Sequence, residues 1–464
     1  MEQTYKKRIL LIVEEPTMPE YQGTSLYLGP LYILSFLEQK GIQGDFLNRN
    51  VDHSKHIDYT TYDFIGFSVN SNNIKKSLAT AQHIKRIKPD SKILFGGPLA
   101  SAYPKVLMKE KYIDVIVTGE AEETFYEYIS GSPEKNIKGL YYRENGHVNF
   151  TGTREWMQDL DSLPFPALDK IDLKKYRIMF SSEWPSSYII TSRGCPYDCT
   201  FCFHNMGRNY RTRSPKNVVD EIEWQVEKLG IKDIGIVDEN FTLHKKRVIE
   251  ICDEIIQRKL KVKLHFTSGI RADFIDDETM KKLKEAGLWV VNFAPESGSP
   301  RTIERLKKDL SLDDVRKGVA LAKKYRVATE IFLLVGFPWE DKEDYKKTLD
   351  LAFELDTDFV TLSKYIAFPT TGLYKEQSLN EDNEAVFEDR SYQNTIYNSN
   401  DEASRAIKGF YRRWYSNPIR VFRIVKSLRL YSPNKICNPF VLRDIICNLW
   451  LKFKWVPADS RNKR

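Results

Sequence analysis

Thr191-Ser-Arg-Gly-Cys-Pro-Tyr-Asp-Cys-Thr-Phe-Cys-Phe203 places three cysteines, Cys195, Cys199 and Cys202, in one short loop directly after a predicted strand. The spacing is Cys-x3-Cys-x2-Cys. Three thiolates can hold three irons of a four-iron cluster, whereas a cluster ligated wholly by protein takes four. The fourth iron is then open to a small ligand, which makes such a cluster a reaction centre more than an electron wire. Two plainer readings compete. A structural zinc site wants four nitrogen or sulfur ligands and paired Cys-x2-Cys spacing. His204 could be a fourth ligand, but it directly follows Phe203 in a very tight loop. Chance clustering is disfavoured, because the chain has only six cysteines in 464 residues.

Outward from the loop, strand and helix patterns alternate on both sides. Downstream, strands are predicted at 187–191, 234–237, 264–268, 289–293, 330–335 and 359–366. Helices are predicted at 217–229, 246–258, 277–286, 312–325 and 342–354. Six strands with five helices between them suit an open partial (β/α)6 barrel better than a full eight-fold one. Upstream, strands at 8–13, 44–48, 64–69, 92–95 and 115–118 alternate with helices at 29–39, 74–87 and 122–129. Glycines at the strand C-terminal ends argue for a doubly wound, flavodoxin-like parallel sheet. The expected division is an α/β domain over 1–150, a proline-bearing linker over 151–186, the barrel over 187–370 and a mostly helical basic extension over 371–464.

A chain of 464 residues exceeds one ordinary core. Its 41% hydrophobic and 12% aromatic content is globular. The start is polar and basic, without a signal-peptide pattern, and no apolar run of about 18 residues occurs anywhere. Few cysteines fit a reducing compartment, so a cytoplasmic location is expected. Cys252, Cys437 and Cys447 have no ligand spacing and read as buried thiols. The net charge of +7 is uneven: residues 401–464 hold fifteen Lys and Arg against four Asp and Glu.

Ligands of such barrels and sheets sit at strand C-terminal ends. The polar residues of the barrel series fall there: Asp238 and Glu239, then Arg271, then Glu296-Ser297-Gly298, then Leu334 and Gly336. The cysteine loop closely resembles that of the radical S-adenosylmethionine (radical SAM) superfamily. Asp238-Glu239 matches that family's segment after the second strand, and Glu296-Ser297-Gly298 its Glu-Ser-Gly on the fourth. Leu334-x-Gly336 partly matches the fifth-strand Gly-x-Ile-x-Gly-x-x-Glu. There Phe332 replaces the first glycine and Glu340 comes one residue late. Phe201 and Phe203 match the aromatics that shield the cluster and face adenine.

The resemblance implies a [4Fe-4S] cluster whose open iron chelates the amino and carboxylate groups of SAM. One electron then cleaves the sulfonium to a 5′-deoxyadenosyl radical. Chemically, Asp238 or Glu239 could serve the SAM amino group, Arg271 its carboxylate, and Glu296 with Ser297 its ribose. Gly336 permits close backbone approach, and Leu334 can pack on adenine. The plain alternative for each is a strand-end cap or a salt bridge inside the barrel.

The first 150 residues resemble the cobalamin-binding domain fused to many radical SAM proteins. The segments that carry this are Leu28-Gly-Pro-Leu-Tyr-Ile-Leu-Ser-Phe-Leu37, Gly66-Phe-Ser68, Gly96-Gly-Pro98 and Thr118-Gly-Glu-Ala-Glu122. Ser68, Gly96 and Gly97 could admit the nucleotide tail of cobalamin, with Thr118, Gly119 and Glu120 lining the same crevice. The cobalt-ligating Asp-x-His-x-x-Gly of many such domains is missing: the loop after the first strand, Glu14 to Thr24, has no histidine. His53 and His56 read as loop surface. The alternative is a flavodoxin-like module that binds nothing. A dinucleotide is disfavoured, since Gly96-Gly-Pro is no Gly-x-Gly-x-x-Gly.

In the tail, Ile419, Phe422, Val425 and Leu428 share one face at helical spacing among basic residues. The run 445–455 is similar. Three readings fit: a helix packed on the barrel, a membrane-surface helix giving peripheral membrane contact near a lipid substrate, or a nucleic-acid patch. No RNA-recognition module accompanies the charge, so no nucleic acid is expected.

The resemblance implies a cobalamin-dependent radical SAM C-methyltransferase acting on a small-molecule or lipid-like substrate. It would need an external electron donor such as flavodoxin or ferredoxin. The alternatives are a radical cyclase or rearrangement enzyme on a tetrapyrrole or lipid precursor, and an iron–sulfur electron-transfer or sensor protein without SAM turnover.

Overall fold

The computed structural model describes residues 7–15, 26–176, 178, 181–368, 371–376 and 401–423. Its strands are β1 Ile9–Val13, β2 Gly44–Asn48, β3 Phe64–Ser68, β4 Lys92–Gly96, β5 Val115–Val117, β6 Leu140–Glu144 and β7 His147–Phe150, then β8 Ser186–Ile189, β9 Ser192–Arg193, β10 Arg211–Thr212, β11 Asp233–Ile236, β12 Lys263–Phe266, β13 Leu288–Glu296, β14 Ala328–Val335 and β15 Phe359–Lys364. Its helices are α1 Leu28–Gln39, α2 Ile74–Ile87, α3 Pro98–Ala102, α4 Pro104–Leu107, α5 Glu122–Ser130, α6 Pro215–Glu227 and α7 Lys245–Gln257, then α8 Asp277–Glu285, α9 Pro300–Arg305, α10 Leu312–Lys324, α11 Lys342–Leu355, α12 Gly372–Glu376 and α13 Glu402–Tyr415. Contacts divide the chain into two bodies. One draws on Met1–Met179, Pro185–Phe241 and Ala367–Ser391, the other on Phe180–Trp184, Thr242–Ile366 and Tyr392–Arg464.

In the first body the sheet order β2-β1-β3-β4-β5 is that of a flavodoxin-like domain. All five side chains of β1 are buried, as both-face coverage of a central parallel strand requires. The pairing is parallel through β5. It then continues antiparallel through β6 and β7, a hairpin absent from the sequence-based expectation. Asn145 and Gly146 turn that hairpin with φ of 53° and 81°, as a two-residue primed turn demands. Asn-Gly between two short runs is itself a hairpin signal in the sequence. Residues 151–176 lack strands, as expected of proline-bearing chain, yet they pack firmly. Leu160 and Leu163 are buried against Phe36, and the Ala167 amide donates to the Leu31 carbonyl at 3.1 Å.

The six parallel strands of the barrel series are β8, β11, β12, β13, β14 and β15, and helices follow them in the order expected for a partial (β/α)6 fold. β8 and β11 pair in the first body. In the second, β12, β13, β14 and β15 lie side by side in chain order. Every residue of β13 is buried. Helix starts carry the expected caps: Ser214 before α6, Asp276 before α8, and an Asp341–Asp344 capping box on α11.

The described part of the tail is helical. The Tyr411 hydroxyl of α13 accepts from the Leu362 amide at 2.9 Å, and Trp414 is fully buried. Beyond it, Ile419 and Phe422 are 69% and 65% exposed. Val425, Leu428 and the run 445–455 lie outside the described residues, as do Cys437 and Cys447. No described helix is long and apolar enough to cross a membrane.

Candidate active site

Ser192 and Arg193 of β9 pair antiparallel with Thr212 and Arg211 of β10, which closes residues 194–210 into a loop. Gly194 starts that loop at φ +87°, and a Cβ there would sit 2.3 Å from the Asn209 carbonyl oxygen. The Cys202 amide donates to Cys199 O at 3.1 Å, and the Cys195 amide to Gly207 O at 3.2 Å. Cys195 and Cys199 are half-buried thiols and Cys202 an exposed one, none in a disulfide. Phe201 and Phe203 are half-buried beside them. Among the described residues, no three His, Cys, Asp or Glu side chains converge on a point that would hold a single metal ion. A four-iron cluster asks for something else, one thiolate on each of three separate irons.

Asp238 follows β11 and is occupied by the strand leading into the loop. Its carboxylate accepts from the Thr191 amide at 2.6 Å, the Thr191 hydroxyl at 2.5 Å and the Ser192 hydroxyl at 2.6 Å. That arrangement makes Asp238 a strut under the cysteine loop. Glu239 differs. Its Oε2 is buried without a hydrogen-bond partner. Burial pushes its pKa up to about 7, against the Met206 amide that favours the anion, and the neighbouring Asp238 charge adds to the rise. Asn240 beside it is 3% exposed with neither amide atom paired. No sequence signal singles out Asn240, an uncharged residue directly after the Asp238-Glu239 pair.

In the second body, β13 ends at Glu296 with φ +67°, a strained value for a non-glycine residue. The Glu296 carboxylate accepts from Lys308 Nζ at 2.7 Å, both side chains being buried. The Lys308 carbonyl in turn accepts from Arg271 at 2.5 Å. Arg271 also binds Asp273 through two nitrogens and the Asp309 carbonyl at 2.6 Å. Arg271 and Glu296 are thus brought together through Lys308, a residue no spacing rule could separate from surface lysines. Ser297 Oγ lies 2.9 Å from Thr348 Oγ1, and a Cβ at Gly298 would fall 2.3 Å from Lys347 O on α11. These two seat the turn against α11. Leu334 is half-exposed near the end of β14. Glu340, despite its extra residue of spacing, reaches back: its Oε2 accepts from the Gly336 amide at 2.8 Å and the Phe337 amide at 3.1 Å. Burial raises its pKa to about 6.

In the flavodoxin-like sheet the register sets Ser68 directly beside Gly96 at the C-terminal ends of β3 and β4. Both are half-exposed, as is Gly97. A Cβ at Gly96 would meet nothing nearer than Val117 O at 3.7 Å. The Thr118 hydroxyl donates to Gly139 O at 3.1 Å, and the Gly119 amide to Ser101 Oγ at 3.2 Å. Glu120 is 9% exposed, its oxygens bound by Arg193, Arg211 and the Met157 amide. His53 and His56 are exposed, the former 3.5 Å from Glu15.

Residues 189–352 match the Radical SAM superfamily, and residues 20–129 match the B12 binding domain. An uncharacterized methyltransferase of Pyrococcus horikoshii is 32% identical over 320 residues, covering 68% of this chain and 69% of the relative. An anaerobic magnesium-protoporphyrin IX monomethyl ester cyclase of Rubrivivax gelatinosus is 28% identical, and the match spans 68% of this chain and 58% of that enzyme. Among solved structures, the radical SAM methyltransferase TsrM of Kitasatospora setae, with cobalamin and a [4Fe-4S] cluster bound, superposes with a TM-score of 0.66 at 19% identity. It covers 80% of this chain and 74% of its own.

The chain belongs to the radical SAM superfamily, in the group that carries a B12-binding domain. It is an enzyme of that group, whose cofactors are a [4Fe-4S] cluster, SAM and cobalamin. The residues present fit all three. The cysteine loop offers three thiols, Glu239 Oε2 is a buried acceptor awaiting a donor, and Gly96 leaves room where a nucleotide tail would approach.

Proposed function

We propose that this chain transfers a methyl group to an unactivated carbon of a small-molecule or lipid-like substrate. What supports the reading most is one contact set: Arg193 and Arg211, at the neck of the cysteine loop, are both held by Glu120 at the end of β5. A methyl group and a substrate radical must meet in fixed geometry, and this set fixes the loop against the strand-end edge of the B12-type sheet. When bound, the cluster and SAM supply a radical and cobalamin supplies the methyl group.

Cys195, Cys199 and Cys202 would hold the cluster. Glu239, with Asp238 behind it, would receive the SAM amino group, and Phe203 would face its adenine. Glu296, poised by Lys308, would take the ribose, with Ser297 and Gly298 setting the turn and Leu334 and Gly336 bordering the base. Arg271 would act on the SAM carboxylate through the Lys308 segment that it clamps. Ser68, Gly96, Gly97, Thr118 and Gly119 would line the cobalamin crevice. The domain limits of 1–150, 187–370 and 371–464 follow the same assignment.

An external flavodoxin or ferredoxin would reduce the cluster. Exposed Ile419 and Phe422, on a helical segment whose Arg420 and Arg423 pair with Asp356, favour peripheral contact with a lipid surface. Likeness to the Rubrivivax cyclase keeps a radical cyclisation as the second reading.

The test is anaerobic reconstitution with iron, sulfide and hydroxocobalamin, then dithionite and SAM carrying a labelled methyl. Formation of 5′-deoxyadenosine with label in the product is expected, and Cys199→Ala should abolish both. A product without label points to cyclisation. A colourless protein after desalting, or no 5′-deoxyadenosine, overturns the proposal.

A further inference from the structure

Arg193 and Arg211 are cross-strand partners in the β9–β10 pair. Like charges set directly opposite each other repel. Both are 4% exposed, so water screens them little. Two carboxylates from the flavodoxin-like sheet answer them. Glu120 Oε1 accepts from Arg193 and from Arg211, each at 2.8 Å, and Glu120 Oε2 from Arg211 at 3.0 Å and the Met157 amide at 2.8 Å. Glu122 Oε1 accepts from the other Arg193 nitrogen at 2.7 Å. The remaining contacts of Arg211 also brace the loop: it donates to Met157 O at 2.7 Å and Met206 O at 3.0 Å. Its guanidinium lies 5.3 Å from the centre of the Trp156 ring, which packs on Gly207. Gly207 O in turn accepts from the Cys195 amide.

We propose that Glu120 is a positioning residue for the cluster loop and not part of the cobalamin crevice. Both of its oxygens are already committed, each to two donors, which leaves little for a nucleotide tail. Its charge is what lets two adjacent buried guanidiniums close the neck of residues 194–210. With Glu122 it balances two positive charges by two negative ones. A residue upstream of the whole barrel series thereby sets how tightly three cysteines are presented.

The inference rests on the reading that this loop holds a cluster, so wild-type protein is measured beside each variant. Reconstituted Glu120→Gln should lose iron to a chelator about ten- to hundredfold faster than wild type, the range for outer partners of metal ligands. It should retain hydroxocobalamin through desalting as well as wild type does. Glu120→Gln combined with Arg211→Met restores the charge balance and should recover iron retention and the SAM-induced change in the EPR signal of the reduced cluster. A purely crevice-lining Glu120 would give the opposite split, with cobalamin lost and cluster kept, and that result overturns the inference. Equal iron retention in Glu120→Gln and wild type also overturns it. If Glu120→Gln alone is recovered unfolded, the double variant decides: a retained cluster supports the inference and a lost one overturns it. Wild-type protein that takes up no cluster removes the underlying reading itself.

Discussion

Lys308 Nζ lies 2.7 Å from Glu296 Oε1, two buried charges joined where β13 ends in a left-handed backbone turn. Removing one partner of such a pair leaves the other charged and unpaired. Lys308→Met should therefore cost about 3–5 kcal/mol, and Lys308→Met with Glu296→Gln much less. Urea midpoints of the apo proteins check this. Equal losses in the single and double variants would count against a coupled pair.

Glu239 yields a pH dependence. Its folded pKa of about 7 stands above the ordinary carboxylate value of 4.5. The folded state then binds more protons between those values, so this residue's contribution to stability falls as pH rises through the window. Glu239→Gln should raise the stability of apo protein at pH 8 by about 1–3 kcal/mol and scarcely change it below pH 5. The same shift in melting temperature at both pH values would contradict this assignment.

Gly298 and Gly96 separate packing from ligand binding. Gly298→Ala drives a Cβ onto Lys347 O and should destabilise by about 1–3 kcal/mol. Gly96→Val places its Cβ in ordinary contact with Val117, 3.7 Å from the carbonyl oxygen, so its melting curve should stay near wild type while hydroxocobalamin retention falls. Retention unchanged in Gly96→Val would remove Gly96 from the crevice.

Alkylation should sort the cysteines. Burial first, then the neighbouring Asp253 charge, push the Cys252 thiol up to about 12, so it should resist iodoacetamide until unfolding. Exposed Cys202 should react first in cluster-free protein. Peptide mapping over a time course reads both, and early labelling of Cys252 would contradict its placement.

Asp356 anchors the tail through Arg420 and Arg423, each at 2.7 Å. It sits at φ +43°, which asparagine tolerates. Asp356→Asn keeps that turn but removes the ion pairs, so trypsin should cut after Arg420 and Arg423 several-fold faster, consistent with a loss of about 1 kcal/mol. Unchanged cleavage would show that packing around Trp414 holds the tail without the pairs.

Periodicity was enough to outline both alternating series. The structure keeps α2 at its expected limits and moves most other ends by one to three residues, because apolar spacing reports which face is buried. It also places Ser68 beside Gly96, a consequence of parallel pairing. The hairpin β6–β7 departs from the strand–helix alternation before it, and its one local signal is Asn145-Gly146. Arg193, Arg211 and Lys308 gave no signal, since a charged residue has the same spacing whether solvated or buried.

The sequence alone determined the chemistry. Three cysteines in eight positions point to a cluster because coordination demands particular atoms at short chain distances, and the radical SAM resemblance of the loop and strand ends implies its ligand. Tertiary structure decided which charges remain for that chemistry. Asp238 is drawn into the incoming strand, Arg271 into the Lys308 segment and Glu120 into the loop neck, while Glu239 keeps an unpaired oxygen. The reason is physical: a buried charge takes its partners from whatever the fold brings within about 3 Å, and these partners lie far away along the chain.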